Sequence, residues 1–145
     1  MEIRTVTACY FSPTDTTKKT VEAIARGIRP VIQILDLTPP AARENPYHFG
    51  PEDLLVIGAP VYGGRIPLVE EEAIRHIHGS CTPVVLAAVY GNRAYEDALL
   101  ELRDLLSCQG FIPVAAGAFI GEHSFGNTIA AGRPDAEDLA KCADF

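Results

Sequence analysis

The chain has no tryptophan and a single methionine, and no run in it approaches the roughly 20 apolar residues of a membrane span. Its four cysteines, Cys9, Cys81, Cys108 and Cys142, lie far apart and form no Cys-x-x-Cys pair. That spacing argues against a zinc site or an iron–sulfur cluster built from these residues, so no metal site is expected. Free or buried thiols in a reducing cytoplasm are the expectation instead. Positive charge is also scarce: 12 Lys and Arg stand against 19 Asp and Glu, a net charge of −7. An acidic surface speaks against nucleic-acid binding and is compatible with a basic protein partner. No Gly-x-Gly-x-x-Gly is present to mark a nicotinamide dinucleotide site. The N-terminus reads straight into a strand pattern, so neither a signal peptide nor a membrane association is expected.

What is present is an aliphatic-rich sequence of 145 residues, enough for one domain with its own core. The pattern predicts strands over 2–10, 31–37, 53–59, 83–89 and 112–120. It predicts helices over 16–27, 69–77 and 95–109, and a last one beginning at Asp135. Gly27 reads as lying near the end of the first helix. Residues 38–51, with four of the eleven prolines, read as a long loop. Apolar strands alternating with helices predict a parallel sheet covered on both faces. The expected architecture is a three-layer α/β sandwich, a five-stranded sheet of order 2-1-3-4-5. Ligands in such sheets sit beyond the carboxyl ends of the strands, where strand order reverses.

Three unusual turns follow the first, third and fourth strands, whose ends are neighbours in that order. The first is Ser12-Pro13-Thr14-Asp15-Thr16-Thr17. It joins a strand to a helix whose first N–H groups lack partners and carry partial positive charge, a ready anion site. Four hydroxyls there suit a phosphate that is held rather than transferred. The competing reading is plain helix capping by Thr and Asp. The second turn is Pro60-Val61-Tyr62-Gly63-Gly64-Arg65, where paired glycines open unusual backbone conformations and Tyr62 offers an aromatic face. The third is Tyr90-Gly91-Asn92-Arg93-Ala94-Tyr95, again a glycine turn between aromatics, with Asn92 able to read a ligand edge. A phosphate cradle beside a slot for a planar ring implies a mononucleotide with a large aromatic head, and FMN fits.

On these residues the chain resembles the flavodoxin superfamily. The resemblance implies that Ser12, Thr14, Thr16 and Thr17 bind the FMN phosphate, that 58–67 lines the flavin ring, and that Tyr95 stacks on it. It also implies that Gly121 to Phe125 lies near the ring edge. More narrowly, Pro-Val-Tyr-Gly-Gly-Arg-Ile-Pro, Tyr-Gly-Asn-Arg-Ala-Tyr-Glu-Asp-Ala and Gly-Ala-Phe-Ile-Gly-Glu-His-Ser-Phe resemble the flavodoxin module of proteins that join it to a two-cluster ferredoxin domain. The implied partner is therefore a redox protein, or an iron–sulfur domain in the same native chain. Asp15 departs from the pattern, standing where the superfamily has glycine.

The function this implies is electron transfer through FMN in one-electron steps, with no catalytic side chain because the flavin carries the chemistry. One rival is an FMN-dependent NAD(P)H:quinone or flavin reductase. Another is a cofactor-free interaction module, since the Asp15 carboxylate would compete with phosphate. A signalling receiver is excluded because Tyr10-Phe11 and Ala59-Pro60 stand where it needs carboxylates. A Cys-x5-Arg phosphatase is excluded because Asp15 stands where the arginine belongs.

Overall fold

A computed structural model describes residues 1–126 and 128–145. Seven strands and five helices follow in chain order: β1 (Thr5–Tyr10), α1 (Thr16–Ile28), β2 (Gln33–Asp36), α2 (Pro40–Arg43), β3 (Tyr47–Phe49), β4 (Asp53–Pro60), α3 (Leu68–Ile74), β5 (Ile77–Gly79), β6 (Thr82–Tyr90), α4 (Ala98–Cys108), β7 (Phe111–Ile120) and α5 (Ala136–Asp144). Five strands form one parallel sheet of order β2-β1-β4-β6-β7. The expected order 2-1-3-4-5 is thus corrected to 2-1-4-6-7. The difference is two three-residue strands, β3 and β5, which pair in a small parallel sheet of their own.

Both short strands fall where the sequence predicts other structure. β3 lies in the expected loop 38–51, with α2 before it, and β5 begins at the end of the expected helix 69–77. Three residues are too few to show a period, and partners outside the segment hold them. Thr82 Oγ1 donates to the carbonyls of Phe49 and Gly50, at 3.0 and 2.9 Å. The Arg43 guanidinium donates to the Thr38 carbonyl at 2.9 Å and closes the turn after β2.

The sheet core alternates as period-two strands require. On one face Cys9, Leu55, Ile57, Val84, Leu86 and Ala88 pack with Ile74, Leu102 and Leu106 of α3 and α4. On the other, Val6, Ala8, Tyr10, Val56, Val85 and Ala87 meet Val21, Ile24 and Ala25 of α1 and Cys142 of α5. β4 and β6, in the middle, are buried along nearly their whole length, which explains their unbroken apolar runs. Gly27 lies near its helix's end, which runs one residue further to Ile28. A Cβ there would lie 2.0 Å from the Ala143 carbonyl oxygen, so this glycine lets α5 pack against α1. α4 starts at Ala98, three residues later than expected, because Glu96 adopts a positive φ of 41° that a helix cannot contain.

Candidate functional site

The carboxyl ends of β1, β4 and β6 converge, with the β7 end beside them, around a cavity of about 810 Å³. Its wall includes Pro13, Thr14, Thr16 and Thr17 of the first loop; Pro60, Val61, Tyr62, Gly63 and Gly64 of the second; and Tyr90, Gly91 and Arg93 of the third. Twelve of the expected residues therefore share one wall. Ser12, Asp15, Arg65, Asn92 and Tyr95 stand outside it.

Ser12 is buried and already engaged. Its Oγ accepts the Lys18 amide at 2.9 Å, capping α1, and its own amide donates to Thr38 Oγ1 at 2.9 Å. The Thr38 amide in turn donates to Asp36 Oδ1 at 2.8 Å, so the end of β2 braces the loop. Ser12 thus braces the loop. Asp15 occupies the helix N-cap position, yet its side chain makes no capping bond. Its φ of 65° explains why a glycine-type position tolerates it: Asp is among the few residues that enter the left-handed region at low cost. The amides of Thr14, Thr16 and Thr17 have no acceptor among the described residues. Thr17 Oγ1 is buried beside the cavity and likewise without a partner.

The second loop is a tight two-residue turn. Tyr62 and Arg65 exchange backbone hydrogen bonds of 2.7 and 3.2 Å, with Gly63 and Gly64 at φ 58° and 79° between them. Two positive φ values in succession require the glycines. Arg65 turns away to α4: Nε donates to Glu101 at 2.9 Å, a second guanidinium N–H completes the pair, and the Ile66 amide joins at 3.1 Å. The guanidinium holds the Glu101 carboxyl below its usual range. Arg65 thereby tethers the loop to α4. The Tyr95 ring meets Tyr90 edge-on at 5.2 Å and lies outside the cavity wall. Asn92, at φ 60°, serves the turn itself.

Val89 and Glu96 in the wall were not singled out from the sequence; Ala94 stands within the third turn, and Gly121 to Phe125, Glu122 included, were implied only by resemblance. The Glu96 carboxylate lies over Gly64, where an added Cβ would come within 2.2 Å of it. His123 packs on Gly91 in the same way, at 2.6 Å. Such contacts depend on loops meeting across the sheet end and leave no local pattern beyond the glycines themselves.

Behind the second loop lies Glu70, fully buried on α3 with neither carboxylate oxygen partnered. Burial pushes its carboxyl well above the ordinary range, and only a weak interaction with the Phe11 amide opposes this. Partial burial, and then Glu70, raise the Tyr62 phenol. Cys9, also buried, has its thiol raised by burial, Glu70 and Asp36, the opposite of an activated nucleophile. Among the described residues no group of three or more His, Cys, Asp or Glu is placed to hold a metal ion, and no helix is long and apolar enough to cross a membrane.

No protein-family model matches the sequence, and no curated protein matches it significantly. Solved structures do. A flavodoxin from the domain Archaea aligns over 97% of this chain and 92% of its own, with a TM-score of 0.64 at 14% identity. The chain has the flavodoxin fold. Oxidised flavodoxin 2 from Bacillus cereus aligns over 98% of this chain and 94% of its own, with a TM-score of 0.63 at 14% identity. Rubredoxin:oxygen oxidoreductase from Desulfovibrio gigas is similar over 99% of this chain, which spans 34% of that larger protein, with a TM-score of 0.60 at 12% identity. In this flavodoxin-fold protein the cavity lies at the sheet's carboxyl edge, beside β1 and β4, as open α/β sheets dictate.

Proposed function

We propose that this chain binds FMN in the cavity at the sheet's carboxyl edge and transfers electrons through it. The observation that carries this reading is Thr17 Oγ1, buried and unpartnered beside unpaired amides at the start of α1. A buried hydroxyl without a partner is costly, and an anion at the helix N-terminus would satisfy it. Thr14 and Thr16 would complete the phosphate cradle, held in shape by Ser12. Tyr62, Gly63, Gly64, Tyr90 and Gly91 would flank the ring. When bound, the flavin supplies one- and two-electron redox chemistry. The protein's part is to bind it, orient it and shape its electrostatics. The Glu96 and Glu122 carboxylates in the wall and the net charge of −7 would disfavour added negative charge and lower the potential.

The proposed electron donor or acceptor is a redox partner protein, or an iron–sulfur domain of the same native chain, in the cytoplasm. The deciding test is the visible absorption spectrum of the purified protein after FMN addition and dialysis. Retained flavin bands support the reading. Loss of all flavin would overturn it and leave an interaction module as the better account, with Asp15 as its main clue.

A further inference from the structure

The phosphate cradle opens on two sides. Thr14 and Thr16 belong to the wall of the 810 Å³ cavity and also to that of a second cavity of about 600 Å³. A mononucleotide ends at its phosphate. Held at these threonines with its ring toward Tyr62, it leaves the second cavity unfilled. A dinucleotide flavin continues from that point through a second phosphate to an adenosine.

The second cavity has the chemistry for that continuation. Lys19 lines it, is exposed, and joins no ion pair among the described residues. The other cation there, Arg133, is engaged by Asp138, Nε to Oδ2 at 2.6 Å. The carboxylate in the wall, Glu122, accepts the Gly132 amide at 2.7 Å. Phe125 stands where the two cavities meet and is 97% exposed, with its ring 6.0 Å from that of His123. A fully exposed phenylalanine beside a cation is a stacking platform for a heteroaromatic base. A Cβ on Gly126 or Gly132 would meet nothing within 4 Å, so that wall is open to a ligand of this bulk.

We infer that the site accepts FAD, with the flavin ring in the larger cavity, a second phosphate at Lys19 and the adenine on Phe125. This rests on the flavin reading above and widens it from the mononucleotide to the dinucleotide. The test is a fluorescence or calorimetric titration of the flavin-free protein with FMN and with FAD, repeated for Lys19→Glu and Phe125→Ser. Both side chains are exposed, so the variants should fold. Wild type should bind FAD at least as tightly as FMN. Phe125→Ser should weaken FAD by about tenfold, and Lys19→Glu by about fivefold, with FMN less affected than FAD in both. FAD binding more than about tenfold weaker than FMN would overturn the inference and leave the FMN reading intact. So would variants that shift FMN and FAD equally. Failure to bind either flavin would overturn both.

Discussion

The two ends of the large cavity are built differently. At the phosphate end the chain is held by buried side-chain hydrogen bonds: Lys18 to Ser12, Ser12 to Thr38, Thr38 to Asp36. At the ring end it is held by backbone conformation. Gly63, Gly64, Asn92 and Glu96 all have positive φ, and one ion pair, Arg65 to Glu101, ties the second loop to α4. Each end also carries a buried polar group without a partner, and the contrast is instructive. Thr17 Oγ1 is orphaned beside the cavity, where a ligand can satisfy it. Glu70 is orphaned outside the wall, behind the ring end, where holding a proton is its way to avoid a buried charge. On the proposed reading, the phosphate end would supply affinity and the ring end would set the electrostatics around the bound group.

The largest effect should come from Glu70. Its folded pKa is raised above the ordinary 4.5, so the folded chain holds this proton more tightly than the unfolded chain does. Stability from this group is complete below the unfolded value and is lost as pH rises toward the folded one. In Glu70→Gln that loss disappears, so the stability gap between variant and wild type should widen with rising pH above 4.5. Urea melts across a pH series measure this, and parallel curves would mean that Glu70 finds a partner. Next comes Thr17→Val, which removes the orphan hydroxyl while keeping its shape. FMN affinity should fall by about tenfold, the worth of a hydrogen bond to a charged group. Stability without ligand should hold or rise. Equal affinity for the two proteins would erase the distinction between the two ends. The smallest effect should be at Asp15. Asp15→Gly relieves a φ of 65° and removes a negative charge near the start of α1. It should raise stability by about 0.5 kcal/mol and tighten FMN by about threefold. Unchanged affinity would mean that the carboxylate does not act on the phosphate.

Much of the site was legible in the sequence because it is local. The hydroxyls of Thr14, Thr16 and Thr17 sit at a strand-to-helix junction, and the Gly63-Gly64 pair announces its turn. Arg65 and Tyr95 were not legible in the same way. Their neighbours in sequence line the cavity, but Glu101 and Tyr90 decide where these two side chains go. Ser12 is similar: nothing local shows that its oxygen accepts the Lys18 amide, a bond that leaves its O–H able to donate. Glu96 and Glu122 fall within stretches that carry the resemblance, but only the meeting of loops from β4, β6 and β7 puts their carboxylates in one wall.

By itself the sequence determined the α/β class, the five principal strands and the three loops at the sheet edge. Apolar periodicity and turn chemistry act over a few residues, within reach of a linear reading. The tertiary structure alone decided the β3–β5 pairing, the packing of α5 on Gly27, the burial of Glu70 and the second cavity beyond Thr14 and Thr16. Each of these joins segments distant in the chain, and burial and shape exist only once those segments meet.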